Sequence, residues 1–164
     1  MKVTRAVVYG ESVSAYAELC AGAQELAEEV FAIVVGDAAA AASVADLGVE
    51  VRHVPYDGTG LLDDYWPVVS SVIAGLEAEL VLLRASKRVR ALAGLLAVTL
   101  GAVVASDASG LSVSDAGVGF QVVRYGGATV QRSCTSGPLV ALVGPGLYSA
   151  AVPTPGGSVT GGRR

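Results

Sequence analysis

Charge is what this chain of 164 residues has least of. Charged side chains make up 16% of it, against roughly 25% in average proteins, while hydrophobic residues reach 52%. That balance implies a well-buried sheet or a surface that meets a partner. Histidine occurs once, as His53 in "VEVRHVPY", which argues against a His-based metal site, a His–His relay and a Ser–His–acid triad. His53 itself reads as a satisfied or solvent-facing strand residue. The two cysteines, Cys20 and Cys134, form no CxxC pair and read as buried, reduced thiols, not as a disulfide or a metal pair. No apolar run approaches the ~18 residues that a membrane helix needs, and "MKVTRAVVYG" is too short in apolar residues for a signal peptide. A net charge of −4 leaves no global basic field to draw in nucleic acid. The expectation is one domain, cytoplasmic, without a membrane or nucleic-acid partner.

What is present alternates. Apolar runs closed by glycine, "VTRAVVYG" and "VFAIVVGD", predict buried strands at 3–10 and 30–37. Between them, residues 11–29 carry a stripe at spacing three and four, with Ser12 or Ser14 as cap, and predict a helix. A short alanine-rich helix stops at Gly48. Residues 49–57 predict a strand near an edge, because Pro55 cannot donate to a central ladder. Asp63 or Asp64 can cap the next helix, with Pro67 in its first turn. "ELVLLRA" is the most continuous strand run. Val89, Leu92, Ala93, Leu96, Ala97 and Leu100 then mark the clearest helix, ended by Gly101, before a strand at 102–106. Such alternation means right-handed crossovers and a doubly wound parallel α/β sheet. After Asp107 the pattern becomes short β runs split by "DAG", "YGG" and "SGP", an antiparallel hairpin extension. "AVPTPGGSVTGGRR" reads as a flexible Pro/Gly-rich tail, 151–164, behind a domain of residues 1–150.

Four of the eleven lysines and arginines, Arg84, Lys87, Arg88 and Arg90, fall where "ELVLLRA" ends and the next helix begins. A doubly wound sheet binds ligands at the carboxyl ends of its strands. With Ser86 as cap, the exposed N–H groups there favour an anion. Cations at a helix N-terminus are unfavourable by about 0.3–1 kcal/mol each, so a compensating anion is expected. A ligand, a partner, or an acid of this chain (Asp63, Asp64 or Glu79) would serve.

The segment "LRASKRVRALAGLLAVTLGAVVASDASGL" resembles the matching stretch of the electron transfer flavoprotein alpha subunit. "VVRYGGATVQRSCTSGPLVALVGPGLYSAA" resembles that family's hairpin and following strand, so the likeness covers nearly the whole chain. It implies an adenine nucleotide alpha hydrolase-like domain with strand order 3-2-1-4-5. Gly10, Glu11 and Ser12 after strand 1 would then face Ser86, Lys87 and Arg88 after strand 4 across one crevice. Asp107 after strand 5 could reach that crevice or pair with Lys87 or Arg88. In the related beta subunit the crevice holds AMP. In the alpha subunit this domain is a docking body, and FAD is held chiefly by a separate C-terminal domain. Val89, Gly94, Leu95 and Gly144 depart from the family pattern, and the chain stops at "GGRR", about where the linker to the flavin domain would start. The resemblance therefore implies a non-catalytic docking domain that binds no FAD by itself, with AMP as a candidate ligand. Its partner would be a second copy or an electron transfer flavoprotein-type subunit. The alternative is a free-standing AMP-binding protein resembling universal stress proteins.

Asp57, Asp63 and Asp64 suggest a metal cluster less well than they suggest helix capping and a solvated loop. Tyr65 and Trp66, beside a buried stripe, read as core and not as a flavin platform.

Overall fold

The computed structural model describes residues 1–153 and 156–161. Strands and helices alternate through the first hundred residues: β1 (Val3–Tyr9), α1 (Val13–Leu26), β2 (Ala27–Gly36), α2 (Ala38–Ala45), β3 (Glu50–Pro55), α3 (Trp66–Gly75), β4 (Leu80–Arg84) and α4 (Val89–Leu100). Local chemistry sets their limits. The Ser12 hydroxyl accepts the Ala15 N–H at the start of α1, and the Asp37 carboxylate accepts the Ala40 N–H at the start of α2. Gly101, left-handed at φ 62°, ends α4.

Four strands follow: β5 (Val103–Ser114), β6 (Gly117–Arg124), β7 (Thr129–Thr135) and β8 (Leu139–Val143). A short β9 (Val159–Gly161) closes the described chain. The described residues form one nine-stranded sheet with the order β7-β6-β5-β8-β4-β1-β2-β3-β9. Among the described residues, only the β5–β6 and β6–β7 pairings are antiparallel. Helices cover both faces. Tyr16, Leu19, Cys20 and Ala23 of α1 pack with Ala41 and Val44 of α2 over Ala6 and Val8 of β1. On the other face Ile73 of α3 and Leu92 and Leu96 of α4 cover Val7, Val81 and Leu83. This is the doubly wound α/β architecture expected.

The 3-2-1-4-5 order is present with one strand inserted. Leu139–Val143, five apolar residues in a row, is buried at every position and lies between β4 and β5. By contrast β5 alternates with exposed residues toward its end and leads outward into the β6–β7 ribbon. A run that is apolar on both faces takes the position covered on both faces.

Other expectations need correction. The helix expected to Glu29 ends at Leu26, because Ala27, Glu28 and Glu29 enter β2, where Glu29 meets Arg5 of β1 at 2.9 Å. Asp63 and Asp64 lie in a 3-10 turn, and neither carboxylate accepts a capping hydrogen bond at the start of α3. Cys134 is exposed on the outermost strand, whereas Cys20 is buried and its thiol pushed up to about 12. Part of the expected tail is regular: β9 runs parallel to β3. Residues 154, 155 and 162–164 of that tail lie outside the described residues.

Candidate functional site

Crossovers α1 and α2 lie on one face and α3 and α4 on the other, so the chain reverses direction between β1 and β4. Their carboxyl ends form the switch point where such sheets bind ligands. Three expected residues come together here. Gly10, Glu11 and Ser12 line a cavity of about 220 Å³ with Tyr9, Tyr16, Val34, Val35 and Leu62. Leu62 also lines a neighbouring hollow of about 200 Å³, whose wall includes Asp63 and Arg88.

The basic turn meets acids of its own chain. Arg88 lies 3.8 Å from Glu11 and 3.4 Å from Asp63, bridging the β1 and α3 sides of the crevice. Arg84, mostly buried, pairs with Glu18 of α1 at 3.0 Å. Arg90 reaches both carboxylate oxygens of Asp107, at 2.9 and 3.2 Å. Asp107 thus pairs with Arg90, not with Lys87 or Arg88. Its φ of 56° puts it in a left-handed kink where the β5–β8 register shifts, and this turns its carboxylate to α4. Lys87 makes no ion pair among the described residues. Ser86 behaves as expected, its hydroxyl accepting the Val89 N–H at 3.1 Å.

Several contributors escaped the sequence reading. Tyr9 ends β1 buried against Trp66, edge to face at 5.6 Å. Burial and then Glu11 push its hydroxyl well above the usual range. The Tyr16 hydroxyl donates to the Ile33 carbonyl under the cavity, and burial pushes it up as well. Both phenols therefore stay neutral. A tyrosine closing an apolar run was the available signal. Asp63, by contrast, was one of the three acids expected to balance the basic turn, and it is the one that pairs with Arg88. His53 holds the Gly36 carbonyl at 2.8 Å, a satisfied strand histidine.

The cavity favours a small ligand. Its volume lies below the about 300–1,000 Å³ that encloses a drug-sized molecule. No group of three or more metal-ligating side chains occurs among the described residues. Among them, no helix is long and apolar enough to cross a membrane.

Residues 6–161 match the electron transfer flavoprotein domain. A putative electron transfer flavoprotein subunit, YdiR of Escherichia coli K12, is 29% identical over 143 residues, covering 85% of this chain and 46% of the relative. Protein FixB of Escherichia coli O157:H7 is 32% identical over 152 residues, covering 89% of this chain and 48% of the relative. This chain spans about half the length of the curated relatives it matches. With its doubly wound sheet and matching sequence, it belongs to the electron transfer flavoprotein domain family.

Proposed function

We propose that this domain is a non-catalytic docking body in an electron transfer flavoprotein-type system, binding a partner subunit while the flavin is held outside residues 1–164. The observation that carries this reading is the β5–β6–β7 ribbon. Beyond β5 the sheet leaves its helices, and β7 lies at the end of the strand order with its outer edge unpaired among the described residues. Tyr125, at the ribbon tip, is 87% exposed, with Val123 and Val130 exposed beside it. An open edge recruits another chain, and exposed tyrosines are frequent anchors of binding energy.

Isothermal titration against a purified beta-type subunit tests this. Wild type should bind and should purify without flavin colour. Tyr125→Ala should weaken binding by roughly thirtyfold, the equivalent of about 2 kcal/mol at a well-buried anchor, without changing the melting temperature. No binding of the wild type at about 100 µM, a free energy near −5.5 kcal/mol, rejects the reading.

One observation favours a second reading, a site for AMP. The cavity of about 220 Å³ lies against the start of α1, with Gly10 and Ser12 in its wall. Lys87 and Arg88 stand across the switch point, whereas Asp107 is held by Arg90 of α4. A phosphate there would compete with Glu11 and Asp63 for Arg88. If AMP binds, replacing both Lys87 and Arg88 by alanine should weaken it tenfold or more, since about 1.4 kcal/mol is one decade. An AMP affinity no tighter than millimolar in the wild type ends this reading.

A further inference from the structure

The outer surface of α3 and α4 has no charged residue at its centre. Residues 65–76 and 91–106 contain no Asp, Glu, Lys or Arg. Helices on a sheet ordinarily turn charge to solvent. Apart from Arg90 in the first turn of α4, which is held by Asp107, the exposed positions are instead uncharged, among them Val68, Ser71 and Gly75 on α3, and Gly94, Leu95 and Val98 on α4. Val98 is 84% exposed. Gly94 interrupts a helix, where glycine is costly relative to alanine. A side chain there would meet nothing within 4 Å, and the same holds at Gly75. Nothing among the described residues requires either position to be small.

We infer that this face is a self-association surface, and that its occupant is a second copy of this chain related by a two-fold axis parallel to α3 and α4. Charge decides both the occupant and the axis. The two helices run side by side in the same direction, each starting at the carboxyl ends of the strands. An acidic turn, with the exposed Asp64, precedes α3. A basic turn, with the exposed Lys87, precedes α4. A two-fold along the helices lays α3 of one copy on α4 of the other with these ends together. Asp64 then faces Lys87 of the second copy, twice, as an isologous interface demands. An axis across the helices would instead bring Asp64 near Glu77 of the second copy. The uncharged centre with charge at its rim is the anatomy of a protein interface, and the small residues let the helices approach closely.

Area sets the strength. Helices of 10 and 12 residues are about 15 and 18 Å long, and two at about 10 Å spacing offer a face of roughly 350 Å². A standard interface buries about 800 Å² per partner. The dimer is therefore weak, forming at high concentration. This inference is independent of the ribbon docking and of AMP.

Sedimentation velocity from about 5 µM to about 500 µM, spanning the range of a small interface, tests it. The wild type should pass from monomer toward dimer. Val98→Asp should weaken association at least tenfold while leaving the thermal melt of the dilute protein unchanged. Lys87→Asp and Asp64→Lys should each weaken it severalfold, and their combination should restore it. Tyr125→Ala should leave it unaltered. A single-chain mass at every concentration overturns the inference. So does a dimer indifferent to Val98→Asp, one abolished by Tyr125→Ala, or a double charge swap that fails to recover.

Discussion

Two glycines in helices have opposite surroundings, and this makes opposite outcomes measurable. A Cβ on Gly22 of α1 would collide with the ring of Tyr148, which lies over that helix. Gly94 of α4 has open space where its Cβ would be. Gly94→Ala should therefore stabilise the dilute monomer by about 0.5–1 kcal/mol, through reduced freedom of the unfolded chain and better helix propensity. Gly22→Ala should destabilise it by about 1–3 kcal/mol, the range for overpacking. Urea denaturation at low protein concentration reads both. In a Tyr148→Ala background the Gly22→Ala cost should shrink, since the obstructing ring is gone. If that cost were undiminished, Tyr148 would not be what Gly22 accommodates.

At the scale of an element, the segment after β8 acts as a strap across the α1 face. The Gly146 N–H donates to Glu18 at 2.9 Å, Tyr148 covers Gly22, and the Ala151 N–H donates to the Ala17 carbonyl. Glu18 ties the strap to the sheet, because the same oxygen pairs with Arg84 of β4. The Gly146 N–H first, and then Arg84, hold the Glu18 carboxyl below its usual range. A carboxyl depressed on folding contributes stability above its unfolded value and loses it as the pH falls through the native one. Glu18→Gln should cost roughly 2–3 kcal/mol at pH 7, where mostly buried Arg84 loses its counter-charge. The gap between variant and wild type should narrow at an acid pH below the usual carboxylate range, as Glu18 takes up its proton. Urea midpoints at the two pH values measure it, and a gap independent of pH would rule out this role for the carboxylate.

Across the whole molecule, local sequence pattern revealed the half of the sheet built by local crossovers. Runs such as "ELVLLRA" are apolar on both faces because the strand is buried on both faces, and that is visible residue by residue. Gly10, Glu11 and Ser12 share a cavity wall because all three follow one strand, and Ser86 caps because capping needs only three residues of chain. Pairings between distant segments left no such mark. Of the acids expected to balance the basic turn Arg88 took Asp63, but it also took Glu11, and Asp107 turned to Arg90 through a bulge that no hydrophobic period announces. The position of β8 was hidden for the same reason, since "LVALV" reveals that it is buried but not between which neighbours. That position also imposes a temporal order on folding. β8 fills the gap between β4 and β5, yet it lies later in the chain than both. During synthesis, the first four strands with their helices can pair as soon as they emerge, but β4 keeps an open edge until residues 139–143 have left the ribosome. A sheet whose seam closes last depends on contacts distant in sequence, which slow folding. Until then the nascent chain exposes an apolar edge, and through that interval it is vulnerable to aggregation.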